Sequence, residues 1–579
     1  MSQPTAAEPT SRTVPAAPSA EPKPGLHPAL LGAVSGLLLA LAFEPTGAWW
    51  LAWVALVPFL RLVRSERPAR SVFLGSWVGG LVFWLIAVEW VRASDPSAWP
   101  GWLALALVLS LWWPVALGLM RLMVRRLGVP LMIAAPAAWI AVEFVRGLYP
   151  LNGFQWFFLS HSTASLTPLI QVADLTGAWG LSLLVMLVNA WLAELIERPR
   201  WIQTPSGRRP ARGQVIRTAL VVVALASSLI YGAVRLSQAE FQPGPKVALI
   251  QSDIPQIFGG GPDPAEVLAR FGRLVDQAAT EQPNLIVLPE TMFPYGWIAI
   301  DPDLPRAEYE AQLDRYSPGS DPDHWSHVGG EVRDMLHRWT DRINTPMIVG
   351  INSYFFQPGG LARYNTALLL QPQTTETQTY HKLHLVPFGE YIPWVKTIPW
   401  VLALTPFSAD HMPSLDPGPK PSTLNLGPWR FGTPICFEDS VPHVARRLAA
   451  APNGHPTDIL LNLSNDGWFR GTAAHQLHLA SSILRAVELR MPVARSVNTG
   501  TSALIDGNGT VLAALDPPAR DALPNAAEGV LTVEVPLDNR TSLYMKTGDW
   551  LPIACLGLCL ASLPIAAGRS LLTRRLHNA

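Results

Sequence analysis

Three residues in the second half of the chain have the types and the order needed for acyl chemistry at a thiol. Cys436 stands in Pro434-Ile435-Cys436-Phe437-Glu438-Asp439 and is the only one of three cysteines outside an apolar stretch. Glu290 ends the run Leu285-Ile286-Val287-Leu288-Pro289-Glu290, and Lys382 follows Tyr380-His381. A thiol attacks as its thiolate. A carboxylate at the edge of a core, its proton affinity raised by burial, can take that proton. A lysine ammonium can stabilise the thiolate and later an oxyanion. Taken singly, Glu290 reads more readily as a helix-start or turn carboxylate, and Lys382 more readily still as a solvated charge. Glu390, in Pro387-Phe388-Gly389-Glu390-Tyr391, can orient Lys382 or tune the base. Glu438 lies two residues after the cysteine, and an extended segment would put both side chains on one face.

The elements that must position these residues alternate between strand and helix patterns. Lys246–Gln251, Asn284–Pro289, Met347–Ile351 and Asp458–Leu463 read as strands. Pro264–Glu281, Glu331–Asn344 and about 473–490 read as helices, and β-rich sequence follows around the turn Asp506-Gly507-Asn508-Gly509. This is an α/β pattern with the candidate residues at strand ends, where such folds place their sites.

The rest of the chain is unlike a soluble enzyme. It has 579 residues, of which only 15% are charged, and 23 tryptophans. Mean hydropathy is positive. These values point to a membrane protein. Apolar stretches near 25–43, 47–62, 71–91, 101–124, 128–147, 168–195, 216–236 and 549–567 give eight candidate spans. Arginines fall on one side of them: Arg61, Arg64, Arg67 and Arg70; Arg121, Arg125 and Arg126; Arg198, Arg200, Arg208, Arg209, Arg212 and Arg217; and Arg569, Arg574 and Arg575. By the positive-inside rule both ends are cytoplasmic. The expected divisions are a disordered tail at 1–24, a seven-span bundle at 25–240, an external catalytic domain at 241–545, and a last span with cytoplasmic tail at 546–579. Lys+Arg and Asp+Glu are 43 each, which gives no basis for a nucleic-acid partner, and none is expected.

Together the three segments resemble the nitrilase superfamily, with its Glu-Lys-Cys triad. The resemblance extends to the apolipoprotein N-acyltransferase family. Leu288-Pro-Glu-Thr, His381-Lys-Leu-His-Leu-Val-Pro-Phe-Gly-Glu-Tyr-Ile-Pro, Ile435-Cys-Phe-Glu and Asn462-Leu-Ser-Asn-Asp-Gly-Trp-Phe carry it. So do His475-Gln-Leu-His, Arg495-Ser-Val-Asn-Thr-Gly and Trp139-Ile-Ala-Val-Glu-Phe-Val-Arg-Gly. It implies an α-helical membrane domain of about eight transmembrane helices plus an external nitrilase-like αββα sandwich. It implies Glu290 as base, Lys382 as oxyanion stabiliser and Cys436 as nucleophile, with Glu390 and Glu438 in support. The Phe437 N–H is then a second oxyanion donor. The implied reaction moves an acyl chain from a phospholipid to Cys436. The thioester then acylates the α-amino group of a diacylglyceryl-cysteine on an apolipoprotein. The setting would be the bacterial inner membrane, with the catalytic domain periplasmic, the chain monomeric and no cofactor used.

The sequence departs from the family at two places. Phe437 stands where relatives often have Tyr, and Ile254-Pro-Gln-Ile-Phe-Gly-Gly-Gly-Pro lacks the family's Trp, leaving Phe258 as the candidate lipid-contacting aromatic. Asn465, Trp468 and Phe469 are candidates for shaping the site or admitting acyl chains, against turn formation and core packing. Glu143 and Arg146, at i,i+3 in the fifth apolar stretch, are substrate-contact candidates or a structural ion pair. His475 and His478 share a helix face, and with no third ligand at hand no metal is expected. The alternative reading is a membrane-anchored nitrilase-type amidase acting on a small amide.

Overall fold

The computed structural model describes residues 26–95, 97–198, 201–204, 207–256, 262–395, 397–405, 413–450, 456–516 and 527–578. The expected tail at 1–24 and the candidate Phe258 lie outside the described residues.

Two sheets form the second half of the chain. The first has the order Gly529–Asp538, Phe241–Gln251, Leu285–Val287, Met347–Gln357, Gly360–Leu370, Thr377–His381, and Trp297–Ile300 also pairs with Met347–Gln357. The second runs Val511–Ala514, Ala503–Ile505, Val493–Val497, Ile459–Ser464, Trp429–Gly432, Thr423–Leu426. Successive side chains of a strand point to opposite faces, and the apolar runs use both. Val247, Leu249, Leu285, Val287, Ile348 and Leu369 face the core shared with the second sheet. Ala248, Ile250, Ile286, Val349 and Leu368 face a separate core with Phe271, Leu274, Val275, Val332 and Leu336. The helices Pro264–Thr280 and Pro322–Ile343 supply those last residues, each started by an aspartate cap and a proline at its first position (Asp263, Asp321). On the other side, Pro442–Ala449 and Ala474–Leu489 cover the second sheet. The result is a helix–sheet–sheet–helix sandwich. Between its sheets, Ser496 Oγ lies 3.0 Å from the Ile250 carbonyl and 2.9 Å from the Val287 carbonyl.

Five helices are long and apolar enough to cross a membrane: Ala69–Ala93, Trp99–Arg126, Trp179–Glu197, Arg212–Ser237 and Trp550–Leu572. The other three expected spans are shorter among the described residues. Pro28–Leu41 has 14 residues, and Leu131–Arg146 has 16 with Pro136 inside. The stretch at 47–62 breaks into Trp49–Trp53 and Val57–Arg64. A span needs about 20 helical residues, so length alone singles out five. Pro28–Leu41 packs tightly on Ala69–Ala87 through Gly32 and Gly36 against Gly75 and Gly79. A Cβ on Gly32 would lie 1.8 Å from the Gly75 carbonyl oxygen, the close approach that small residues four apart permit.

The sandwich is fastened to the helical bundle through Ala474–Leu489. Fully buried Arg490, at the C-terminal end of that helix, donates to Asp174 Oδ2 at 2.8 Å, Gln171 Oε1 at 2.6 Å and the Gly507 carbonyl at 3.0 Å. Glu488 Oε1 accepts the Ala178 N–H at 2.6 Å.

Candidate active site

Each of the three central side chains leaves the end of a strand. Glu290 lies just beyond Leu285–Val287, and Lys382 directly follows Thr377–His381. Cys436 opens a 3-10 turn, Cys436–Ser440, after Trp429–Gly432. Lys382 Nζ is 3.3 Å from Glu290 Oε1 and 2.9 Å from Glu390 Oε1. Asn365, on Gly360–Leu370, donates its amide to both carboxylates, at 2.7 Å to Glu290 and 3.1 Å to Glu390. Val386 N–H holds the other Glu390 oxygen at 2.8 Å. The backbone beside Glu290 fits because Gly350 has no side chain: a Cβ there would lie 2.3 Å from the Pro289 carbonyl oxygen and 2.7 Å from Glu290 Cα.

Glu290 and Lys382 are buried, while Cys436 and Phe437 remain partly exposed. Burial pushes the Glu290 carboxyl up, with Lys382 opposing. Burial pulls Lys382 down, but Glu290 and Glu390 outweigh it and hold the ammonium protonated well above its usual range. Burial pushes the Cys436 thiol well up; the Glu290 charge adds to this and Lys382 opposes it. Two carboxylates against one ammonium therefore disfavour a resting thiolate. The arrangement suits a thiol that loses its proton to Glu290 only as it attacks.

Cys436 has a φ of 54°, a strained value for a residue with a side chain. Its turn is held by surrounding polar groups. Asn462 Nδ2 donates to the Cys436 carbonyl at 2.8 Å and to the Pro434 carbonyl at 3.2 Å. The segment is not extended, so Glu438 and Cys436 do not share a strand face. In the turn the Glu438 carboxylate reaches back toward the Lys382 strand end and accepts the N–H groups of Leu383 (2.8 Å), His384 (2.9 Å) and Ile435 (2.8 Å), and the Tyr380 hydroxyl (2.8 Å). Burial pushes its carboxyl up to about 7, against the pull of these donors. Glu438 thus ties the lysine segment to the cysteine segment.

The remaining candidates divide. Phe469 meets the helical bundle: its ring is 4.6 Å from that of Trp90, which lies 4.8 Å from Trp156. Trp468 is half-buried beside it. The Asn465 side chain is engaged within the protein, accepting from Gly467 N–H at 3.2 Å and Asn498 Nδ2 at 3.0 Å. Glu143 and Arg146, substrate-contact candidates or a structural ion pair, are both buried, and each is held by groups of the chain. Glu143 Oε1 accepts the Leu159 N–H at 2.8 Å and the Trp139 indole at 3.0 Å. Arg146 donates to the carbonyls of Phe154 (2.8 Å) and Trp156 (2.9 Å) and stacks near Trp84 and Phe158. They hold a strap, 154–159, whose Trp156 indole donates to Ser440 Oγ in the cysteine turn at 3.1 Å. Asn365 and Trp156 escaped the sequence reading. A buried amide inside the apolar strand Gly360–Leu370 was the available signal for the first; the second had none.

Residues 35–191 match the apolipoprotein N-acyltransferase N-terminal domain, and residues 246–544 match the carbon-nitrogen hydrolase domain. The apolipoprotein N-acyltransferase of Geobacter metallireducens is 30% identical over 562 residues, covering 95% of this chain and 96% of its own. The chain belongs to the apolipoprotein N-acyltransferase family. The family member from Chlorobaculum tepidum is 28% identical over 571 residues, covering 94% and 97%. Among solved structures, an amidase from Nesterenkonia sp. is 16% identical with a TM-score of 0.34, covering 54% of this chain and 95% of its own. The family match agrees with the resemblance that the Cys436, Lys382 and Glu290 segments carry.

Proposed function

We propose that the chain transfers an acyl group from a phospholipid, through a thioester on Cys436, to the α-amino group of the diacylglyceryl-cysteine of an apolipoprotein. The observation that carries this reading is the buried Glu290–Lys382–Glu390 cluster beside a partly exposed thiol whose turn is packed on the helical bundle. In the first step Glu290 takes the Cys436 proton and Sγ attacks the ester carbonyl. Lys382 and the Phe437 N–H, which has no partner among the described residues, stabilise the oxyanion. The carbon–oxygen bond breaks, and the proton passes from Glu290 to the departing lysophospholipid. In the second step the amine attacks the thioester, Glu290 accepts an amine proton, and it returns this proton to the cysteine sulfur as the amide forms.

The arginine pattern supports a periplasmic site at an inner membrane, with the helices Pro28–Leu41 and Leu131–Arg146 and the broken stretch at 47–62 completing eight crossings. On this reading the divisions are 25–240, 241–545 and 546–579, and the chain works as a monomer. The contacts of Trp156 and Phe469 with the bundle favour a lipid donor over a small amide. Purified protein incubated with phospholipid and a diacylated lipopeptide is expected to release lysophospholipid and N-acylate the peptide, and Cys436→Ala to do neither. Absence of both products from the unaltered protein, with ammonia released from small amides, would replace this reading by the amidase.

A further inference from the structure

Behind the cysteine turn lies a buried cluster of charged groups with no place yet in the reaction. His478, on Ala474–Leu489, is 1% exposed. Its Nε2 is 2.8 Å from Asp439 Oδ1 and 3.3 Å from the Cys436 carbonyl oxygen. Its Nδ1 is 3.0 and 3.1 Å from the two oxygens of Asp466. Every one of these partners is an acceptor. A neutral imidazole has a single N–H and would turn a lone pair on a carboxylate; only the imidazolium donates from both nitrogens. Arg495 Nη1 completes the cluster at 2.7 Å from Asp439 Oδ2, and its Nη2 lies 3.7 Å from Asp466 Oδ2. Ser482 Oγ donates to Asp439 at 2.5 Å. His475 Nε2 lies 3.2 Å from the Asp466 carbonyl, its one hydrogen bond among the described residues, and is lowered by burial. With His478 charged, two cations face two carboxylates; without its proton, two carboxylates face one guanidinium directly behind the nucleophile.

The Cys436 carbonyl and the Phe437 N–H belong to one planar trans peptide and so point in opposite directions. Whatever fixes that carbonyl also aims that N–H. We infer that His478 is a positioning residue: as an imidazolium clamped by Asp439 and Asp466, it and Asn462 hold the Cys436 carbonyl and thereby turn the Phe437 N–H toward the carbonyl under attack. The inference rests on the proposed acyl transfer at Cys436. It gives the strained φ of Cys436 a purpose, because the peptide is pinned from behind rather than relaxed. Burial pulls the imidazole down, but Asp466 and Asp439 outweigh it and raise it to about 9, so the clamp is closed at neutral pH. Lys382, facing the site from the other side, is held well above its usual range and keeps its charge through the same window.

Two reactions of Cys436 separate this role from a general structural one. Acyl-enzyme formation from phospholipid, read by intact-protein mass, needs both the thiolate and an aligned N–H. Alkylation by iodoacetamide needs only the thiolate. In the unaltered full chain, acylation is expected to fall through a midpoint near 9 while alkylation keeps rising. His478→Gln, which cannot titrate, is expected to acylate about tenfold or more slowly at neutral pH, below the cost of about 10²–10³ for removing an oxyanion donor outright. It should also lose the alkaline fall. Acylation and alkylation rising together in the unaltered protein would overturn the inference whether or not the variant folds. So would a folded His478→Gln that acylates at the unaltered rate. Acyl-enzyme persisting in Cys436→Ala would instead overturn the proposed function, and a silent Cys436→Ala beside a wrong pH profile would leave that function standing and remove only the role of His478.

Discussion

Replacing Glu438 by glutamine tests how the two halves of the site are aligned. The carboxylate receives four donors, two of them from the residues directly after Lys382 and one from the residue directly before Cys436. A glutamine offers one oxygen, which serves two of these donors, and turns an NH2 group on the other two. Above about pH 7, where the carboxylate is ionised, two hydrogen bonds to a charged acceptor are lost, each of about 1.5–3 kcal/mol, or about 3–6 kcal/mol together. Local movement recovers part of this, and the movement itself separates Lys382 from Cys436. At about 1.36 kcal/mol per factor of ten, even 3 kcal/mol appearing as misalignment slows acyl-enzyme formation by about 100-fold. Single-turnover acylation of Cys436, with thermal unfolding of the same preparation, measures both effects. Tm should drop along with the rate, and Glu438→Ala, which strands all four donors, should be worse on both counts. A Glu438→Gln protein with unchanged Tm and acylation within about threefold of the unaltered rate would refute the reasoning, because ~3 kcal/mol cannot vanish from both.

Three further outcomes follow from the geometry. Glu290, raised by burial, must be ionised to accept the thiol proton, so acylation should climb with pH through a window starting above the ordinary carboxylate value of 4.5. A raised folded-state value means the native form binds that proton more tightly than the unfolded chain. The stabilisation is therefore greatest below 4.5 and lost as pH rises through the folded value, so Tm relative to Glu290→Gln should fall while activity rises. Gly350→Ala should cost about 1–3 kcal/mol of stability and slow acylation by about 10²-fold, since its Cβ meets only backbone beside Glu290; crystallographic displacement of Glu290 would be the direct check. Trp156→Phe removes one hydrogen bond to Ser440 and should cost about 1 kcal/mol, seen as a lower Tm and an acylation rate reduced by up to about fivefold.

Much of the site was legible because its chemistry sits where strands end. The apolar runs before Glu290 and before Asn462 have the length and content of buried strands, and four of the expected helices and strands differ from the observed ones by only a few residues at their ends. What could not be read is set by geometry that no local pattern encodes. The spacing of Glu438 from Cys436 suggests a shared face only if the chain is extended, and a 3-10 turn sends the carboxylate elsewhere. The i,i+3 spacing of Glu143 and Arg146 suggests an ion pair, but carbonyls and an N–H from a following strap offered each a nearer partner. Asn365 reaches the site across a hairpin whose second strand carries no catalytic-looking motif. Hydropathy alone also cannot tell a 14-residue helix from a full span when a turn interrupts the apolar run.

Arg490 has a consequence for how such proteins can be taken apart. Its guanidinium belongs to the carbon-nitrogen hydrolase half, yet Asp174 and Gln171, which satisfy it, belong to the other. Covered by a different N-terminal half that lacks this acid and amide, Arg490 would keep only the Gly507 carbonyl as a buried cation. Breaking a buried charge pair from one side costs about 3–5 kcal/mol, a large part of what holds an ordinary domain folded. The catalytic half is therefore not a portable module. A chimera that exchanges it between relatives must carry a matching Asp174 and Gln171 across the junction, or it will be assembled with a lock and no key.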